Sequence, residues 1–262
     1  MMDEIKRIVK SIPIIGNLAG RLYRKPKILA ADSPVYWINK CAKNIDLNIV
    51  QIGSNDGKTG DPLIDLIYKN KNWKILFVEP VPYLFKNLKS NYPVDPRFTF
   101  ENAAINDGSK QTFYWVKKEA KENIDGLPNW YDQLGSFQRD HLVKHLDGIL
   151  EPFIVETDIQ GITLSELLRK NNIGSLDILH IDTEGYDWKI LSQLDLNKFS
   201  PILILFEHKH LPANEKEEAV NFLKGLYHIF QFGQDFLCIR IKDNNLQKSE
   251  LSMLTKKNSI SQ

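Results

Sequence analysis

The sequence predicts an α/β protein with a mainly parallel sheet and helices on both of its faces. Apolar runs of strand length alternate with segments of helical periodicity, as is typical of doubly wound folds. The clearest unit covers residues 49–80: an apolar run, a glycine-rich turn, a helical segment and a second apolar run that ends in Glu79-Pro80. This order is typical of nucleotide-binding units, in which glycines allow close backbone approach and the acid accepts ribose hydroxyls.

Composition and charge limit the classes of function. The 262 residues, 42% of them hydrophobic, suffice for one large α/β domain or two small ones. Residues 1–27 hold seven basic and two acidic residues and carry a net charge of +5. Because the whole chain carries +1, the remaining residues carry −4. An acidic body argues against nucleic acid as a partner. Cys41 and Cys238 lie in apolar contexts, which favours reduced, buried thiols in a cytoplasmic protein over a single disulfide.

The sequence predicts a basic amphipathic helical segment over residues 1–30, followed by a domain over 31–262. Apolar side chains recur on one helical face on both sides of Pro13, and the basic residues lie opposite. One hypothesis is an interfacial helix, through which residues 1–25 contact the anionic inner face of a membrane. The alternative is a helix that packs against its own domain or against a second subunit of a homo-oligomer. No apolar run approaches the ~20 residues that cross a bilayer.

The remaining elements follow from periodicity and from turn residues. Predicted helices cover 31–46, 60–70, a segment that begins at Pro82, a segment that begins with the capping box Thr163–Glu166, a segment after residue 187, and 214–226. Predicted strands cover 47–52, 75–79, 98 to about 102, 112–116 at a sheet edge, 153–155, 176–181 and 202–206. An antiparallel hairpin of 229–232 and 236–241 closes the domain, and the last fifteen or so residues are expected to be loose.

Residues 117–150 interrupt this alternation and are interpreted as an insertion. A stretch of this length between core elements usually carries function, such as a lid or a substrate loop. The alternative is a surface excursion that a few aromatic residues anchor. The candidate substrate contacts in the insertion are Trp130, Ser136, Phe137 and His141.

Polar residues follow the carboxyl ends of five predicted strands, which is the edge where parallel sheets bind ligands. The loop 53–57 has two glycines with an acid between them, and this arrangement suits a cationic ligand better than a pyrophosphate. S-adenosyl-L-methionine (SAM) offers a ribose, an ammonium group and a sulfonium. The candidate cofactor contacts are Gly53, Ser54, Asn55, Asp56, Gly57, Glu79, Pro80, Asn102, Ala103 and Asp182.

The candidate catalytic residues lie at the ends of the predicted strands 176–181 and 202–206. His180 and Asp182 are two residues apart, so their side chains share one face of the sheet, although a histidine inside an apolar strand can equally be a core group. Asp182 or His208 could remove a proton, and Glu184 could shape the site. For Asp182 and Glu184 the alternative role is to cap the helix that follows. No metal is favoured, but Asp182, Glu207 and His208 could together hold a magnesium-like ion.

Five segments, in this order along the chain, resemble motifs of the FkbM-type SAM-dependent methyltransferases: VQIGSNDG at 50–57, VEP at 78–80, NAA at 102–104, LDILHIDTEGYD at 176–187 and ILFEH at 204–208. The resemblance covers about residues 46–210. It implies a class I (Rossmann-like) methyltransferase fold, a three-layer sandwich around a seven-stranded, mainly parallel sheet. In that family the position of His180 is often lysine.

The resemblance also implies an activity, which is transfer of a methyl group from SAM to an oxygen. The acceptor is often a sugar hydroxyl of a glycan or natural product, so a role in polysaccharide biosynthesis is expected. The rival hypotheses are a non-catalytic nucleotide-binding or scaffold protein and an NAD-dependent oxidoreductase. The missing third glycine of the dinucleotide fingerprint disfavours the oxidoreductase.

Overall fold

The structure is a computed structural model, and it describes residues 31–42, 45–242 and 244–258. The predicted amphipathic segment at 1–30 lies outside the described residues, so both hypotheses about it stay predictions. Among the helices in the described ranges, none has the length and apolar character that a membrane crossing requires.

The strands are β1 (Leu47–Ile52), β2 (Trp73–Val78), β3 (Phe98–Glu101), β4 (Lys110–Val116), β5 (Ile154–Gln160), β6 (Ile178–Ile181), β7 (Leu203–Glu207), β8 (Tyr227–Phe232) and β9 (Asp235–Arg240). The α-helices are α1 (Pro34–Cys41), α2 (Ile64–Lys69), α3 (Pro82–Asn91), α4 (Ala120–Asn123), α5 (Arg139–Lys144), α6 (Leu164–Lys170), α7 (Asp187–Leu191), α8 (Ala213–Leu223) and α9 (Lys248–Asn258). Short 3₁₀ turns cover His145–Gly148 and Glu151–Phe153.

Seven strands form one sheet in the order β3-β2-β1-β6-β7-β9-β8. The first five of these are parallel to one another, whereas β9 is antiparallel to both β7 and β8. The predicted mainly parallel sheet with a C-terminal hairpin is therefore confirmed. The strand order reverses between β1 and β6, and at such a switch point the carboxyl ends of the two strands open a crevice.

The sheet is buried on both faces because successive strand side chains point to opposite sides. Val50 and Ile52 contribute to a core with α6, α7 and α8, whereas Leu47 and Ile49 contribute to a second core with α1, α2, α3 and α9. This arrangement confirms the predicted three-layer sandwich. Cys41 and Cys238 are both buried free thiols.

The predicted strand at 112–116 is confirmed, but it does not lie in the main sheet. These residues belong to β4, which pairs with β5 in a separate antiparallel ribbon, from Lys110 opposite Gln160 to Val116 opposite Ile154. The predicted strand 153–155 is correspondingly too short. Polar and exposed residues in the middle of β5 hide its strand character, because a two-stranded ribbon buries little on either face.

The insertion 117–150 connects the two strands of this ribbon and has an apolar core of its own. The buried residues of that core include Leu127, Tyr131, Leu134 and Leu142. Its Ser136 exchanges two backbone hydrogen bonds of 2.9 Å with Tyr114 of β4. The insertion is therefore packed against the ribbon rather than held by a few aromatic anchors.

The C-terminal residues differ from the expectation that they are loose. Helix α9 occupies Lys248–Asn258, and its Leu254 is only 1% exposed in the core on that face of the sheet. The ammonium of Lys40 lies 2.6 Å from the carboxylate of Glu250 and joins α9 to α1. The segment looks loose in the sequence because its average composition is polar and only a narrow apolar stripe is buried.

Candidate active site

A cleft opens at the carboxyl ends of β1, β2 and β6. It encloses about 870 Å³ including its open mouth. The loop after β1 forms one wall and the insertion forms another. The predicted site residues that line the cleft are Gly53, Ser54, Asn55, Glu79, Pro80, Ala103, Phe137, His180, Asp182 and Glu184.

The loops after β1 and β6 touch at Gly53. Its φ of +80° is unfavourable for other residues, and a Cβ atom there would lie 1.7 Å from the backbone oxygen of Asp182. The amide of Asp182 also donates to the carbonyl of Ile52 over 2.9 Å. A glycine is therefore required for the two loops to meet beneath the cleft.

Glu79 connects the end of β2 to the glycine loop. Its side chain is 4% exposed, and its two oxygens accept hydrogen bonds of 2.8 Å from the backbone amides of Val81 and Asn55. Burial raises the pKa of Glu79 to about 7, against the lowering effect of the two amides. Each carboxylate oxygen has a second lone pair, so the group can still accept hydroxyl donors.

Asp56 and Gly57 lie behind the loop rather than in the cleft. Both oxygens of Asp56 are used locally, by the amides of Lys58 and Thr59 and by the Thr59 hydroxyl. A Cβ atom on Gly57 would lie 2.7 Å from the ring of Tyr92, so this glycine serves close packing. Neither residue lines the cleft, and their contact with a cofactor stays a prediction.

Of the two residues predicted to lie near the adenine, Ala103 and Asn102, only one lines the cleft. Ala103 lines the cleft, as expected of a small residue beside a flat ring. The amide of Asn102 instead donates to the carbonyls of Glu79 and Pro80, over 2.8 and 3.0 Å. Asn102 therefore braces the turn that carries Glu79, and its side chain is not part of the cleft lining.

Asp182 brings an acidic group to the cleft. This residue is exposed to solvent where it faces the cleft. Partial desolvation by the surrounding protein raises its pKa well above the usual value, and the nearby carboxyl groups of Glu184 and Asp187 raise it further. Asp187 is fully buried, accepts the hydroxyl of Thr183 over 3.0 Å, and has a pKa that burial raises to about 7. These acids favour a cationic ligand.

The two candidate histidines of the strand ends are placed differently. His180 lines the cleft, is 5% exposed, and has a pKa that burial lowers to about 4, so its ring is neutral at pH 7. His208 stacks on Phe236 with ring centroids 4.0 Å apart and does not line the cleft. The structure therefore does not place His208 where a base for methyl transfer would be needed.

Of the four candidate substrate contacts in the insertion, Phe137 alone lines the cleft, where its ring packs 4.8 Å from that of Tyr186. The Ser136 hydroxyl is buried and donates to the carbonyl of Glu184 over 3.3 Å. His141 contacts the Glu184 side chain, and Trp130 is 42% exposed at the surface. The insertion thus positions Glu184 as well as lining the cleft.

Sequence reasoning missed several cleft residues that have no strand-end signature. Asp61 and Asp132 both line the cleft, and burial raises the pKa of each to about 6. Gln133 donates to the carbonyl of Thr59 over 2.6 Å and so fastens the insertion to the loop after β1. Asp61 follows the glycine loop directly and could have been suspected, whereas Asp132 and Gln133 reach the cleft only through tertiary packing.

Sequence reasoning also missed His145 and His210, which gather with His141 around Glu184. Nε2 of His141 and Nε2 of His210 lie 2.9 and 3.4 Å from Oε2 of Glu184. Nε2 of His210 is also 3.9 Å from Oε2 of Glu207. Burial lowers the pKa of His210 to about 4 and raises that of Glu207 to about 8.

The metal set considered from the sequence is not assembled in this fold. Within the described residues, groups of three or more potential ligand atoms within 4.8 Å of one another occur twice, as His141 with His145 and His210 and as Glu184 with Glu207 and His210. Asp182 and His208 belong to neither group.

The strand order, the glycine loop and the acid at the end of β2 are those of a class I methyltransferase, a class of enzymes that take the methyl group from SAM. The family model described as "Methyltransferase FkbM domain" matches residues 51–238, which is most of the chain. The chain belongs to this family, as its motifs predict. A search of curated proteins finds no match.

Several solved structures of methyltransferases are among the matches of this chain. Human methyltransferase-like protein 13 in complex with S-adenosylhomocysteine (SAH) has a TM-score of 0.45 at 10% identity, over 86% of each chain. The O-methyltransferase NovP has a TM-score of 0.41 at 11% identity, over 80% of this chain and 77% of that one. Precorrin-6y C5,15-methyltransferase from Geobacter metallireducens has a TM-score of 0.38 at 14% identity, over 82% and 89%. Similarity at this level carries no argument about substrates.

Proposed function

We propose that this methyltransferase transfers the methyl group of SAM to a sugar hydroxyl of a glycan or glycosylated metabolite. The observation that carries the proposal is the pairing, in one cleft, of the buried Glu79 carboxylate with the open Asp182 carboxyl group. The Glu79 carboxylate suits a ribose, and the Asp182 carboxyl group suits a cationic centre beside a reacting hydroxyl.

The cofactor is proposed to lie across the ends of β1 and β2. Glu79 accepts the two ribose hydroxyls, while its bond to the Asn55 amide keeps the loop close to the ligand. Ala103 leaves room for the adenine ring. The sulfonium then lies toward β6, where the acids around Asp182 stabilise its positive charge.

The transfer is proposed to be an in-line displacement. The acceptor oxygen attacks the methyl carbon, the carbon–sulfur bond breaks, and the sulfur keeps the bonding electrons to become a neutral thioether. The hydroxyl proton passes to Asp182, whose raised pKa makes it a better base than an ordinary aspartate. The neutral ring of His180 shapes the floor of the cleft. The protein contributes mainly alignment of the two reactants and removal of the proton.

The acceptor is proposed to enter against the insertion. On that side the rings of Phe137 and Tyr186 present an apolar surface, and Asp132 and Gln133 add polar groups. An apolar wall with a few convergent polar groups suits a sugar ring, which has carbon–hydrogen faces and hydroxyl edges.

The proposal can be tested by incubating the purified chain with trideuteromethyl-SAM and a panel of saccharide and non-saccharide alcohols, with mass spectrometry of the products. We expect labelled methyl ether on a saccharide and equimolar SAH. Label on non-saccharides alone would exclude the sugar acceptor, and binding of NAD without binding of SAM would exclude methyl transfer.

A further inference from the structure

Three of the six histidines of the chain converge at one point outside the proposed cofactor site. The ring centroids of His141 and His145 lie 4.5 Å apart, and those of His141 and His210 lie 4.6 Å apart. One ring nitrogen from each of the three lies within 4.8 Å of the other two. His141 and His145 come from the insertion, whereas His210 follows β7, so the cluster joins distant parts of the chain.

The orientation of His145 is that of a metal ligand. Its Nδ1 lies 2.6 Å from the carbonyl oxygen of His141. When this nitrogen donates its proton to the carbonyl, the other nitrogen, Nε2, keeps a free lone pair. Metal-ligating histidines typically donate their second ring N–H to a carbonyl or carboxylate in this way.

Glu184 adds a carboxylate oxygen at the edge of the cluster. Its Oε2 lies 2.9 Å from Nε2 of His141 and 3.4 Å from Nε2 of His210. Ligand atoms at about 2.0–2.1 Å from a tetrahedral zinc ion are roughly 3.3 Å from one another, so these spacings are close to those of a coordination shell. Neither Nε2 of His141 nor Oε2 of Glu184 has a hydrogen-bond partner among the described residues, although both are buried.

A simple ion pair explains less of this geometry. One histidine would satisfy Glu184, and it would do so with hydrogen-bond alignment, yet three imidazoles are gathered here. Glu184 also has a φ of +54°, a left-handed conformation that is uncommon for a non-glycine residue. Such conformations concentrate where side chains must be aimed at a functional site.

We propose that His141, His145 and His210, with Glu184 as the fourth ligand, bind one divalent transition-metal ion such as Zn²⁺. Imidazole nitrogens select zinc, nickel, copper and cobalt over magnesium and calcium, which prefer oxygen ligands. The bound ion fastens the insertion to the ends of β6 and β7, beside the acceptor wall of the cleft. This role is independent of the binding of SAM.

The test uses the full chain without a histidine tag, because a tag would bind the same metals. Zn²⁺ binding is measured by competition calorimetry, and Co²⁺ is added to record its absorption spectrum. The test variant is His145→Ala, whose half-buried side chain leaves the apolar core intact. The matched control is His228→Ala, a half-buried histidine on β8 outside the cluster. We expect one Zn²⁺ per chain for the wild type and the control. For His145→Ala we expect Zn²⁺ binding to be at least ~100-fold weaker, because the loss of an outer-shell group alone costs about 10–100-fold.

Glu207→Gln separates this site from the overlapping group of Glu184, Glu207 and His210. We expect Glu207→Gln to weaken Zn²⁺ binding by less than about 100-fold, as an outer-shell change would. Zn²⁺ should raise the Tm of the wild type and of His228→Ala but not that of His145→Ala, since ligands stabilise only the state that binds them. Equal Zn²⁺ affinity in His145→Ala and the wild type, or no stoichiometric binding in the wild type, would overturn the proposal. SAM binding, measured on the same samples, reports separately on the proposed function.

Discussion

The role of Glu79 can be tested by the substitution Glu79→Gln, which changes a carboxylate to an amide of nearly the same shape. In the wild type both oxygens accept backbone N–H groups, from Val81 and from Asn55. Glutamine keeps one acceptor oxygen, and its NH₂ group then faces one of the two backbone donors. The same change removes the negative charge that is proposed to accept both ribose hydroxyls.

The magnitude follows from these contacts. A hydrogen bond to a charged group contributes about 1.5–3 kcal/mol, so the loss of charge toward two ribose hydroxyls should cost roughly 3–6 kcal/mol of SAM binding. At about 1.4 kcal/mol for each tenfold change, the SAM Kd should rise by a factor of roughly 10²–10⁴. One buried backbone donor also loses its partner, which should lower the free energy of unfolding by about 1–3 kcal/mol.

Calorimetry with SAM and urea denaturation measure the two effects separately. The control is Glu101→Gln, another carboxylate at the end of a neighbouring strand, which pairs with Lys170 at 2.7 Å outside the cleft. We expect this variant to lose less than about 1 kcal/mol of stability and to keep its SAM affinity. A folded Glu79→Gln protein that binds SAM within about threefold of the wild type would refute the assignment of the ribose to Glu79.

Three further predictions concern the same cleft. SAM affinity should fall as the pH decreases below about 7, because burial raises the pKa of Glu79 to about 7 and only the ionised carboxylate accepts both hydroxyls; calorimetry between about pH 5 and pH 8 measures this. Asp182→Asn should lower kcat by about 10²–10⁴ and should weaken SAM binding by a smaller factor, as product assays and calorimetry will show. Gly53→Ala should lower Tm and abolish SAM binding, since the new Cβ would lie 1.7 Å from a backbone oxygen.

Each of these predictions has a control or a contrary result. The pH dependence should be absent in Glu79→Gln, and an equal slope in that variant would assign it to another group. Equal losses of kcat and SAM affinity in Asp182→Asn would contradict its role as a base. Gly126 has a φ of +74° with no atom within 4 Å of an added Cβ, so Gly126→Ala isolates backbone strain. If Gly126→Ala lowers Tm as much as Gly53→Ala does, the close approach of Gly53 to the backbone of Asp182 is unimportant.

The parallel sheet and the cofactor loop were predictable because their signals are local. Each parallel strand is a short, nearly continuous apolar run, and the turn that leaves it carries the polar residues that the fold brings to one edge. Gly53 and Glu79 are separated by one strand–helix–strand unit, so their proximity follows from the type of fold. Within the loop the pattern does not reveal which side chains serve the turn: Asp56 caps its own turn.

The ribbon, the C-terminal helix and the histidine cluster were not predictable for a different reason. The strands β4 and β5 are half-exposed, and nothing in the sequence shows that they pair with each other apart from the main sheet. The cluster needs His145 and His210, which lie 65 residues apart in the printed sequence, and they meet only because the insertion folds against the ends of β6 and β7. The periodicity of one segment contains no information about such long-range packing.

The most direct test of the proposed function is mass spectrometry of the glycans of cells that have or lack the gene. The account predicts that one methyl ether on a saccharide disappears without the gene, returns with the wild-type chain, and does not return with the Asp182→Asn variant. An unchanged set of methylated glycans, or full recovery with Asp182→Asn, would contradict the conclusion that this cleft methylates a sugar hydroxyl.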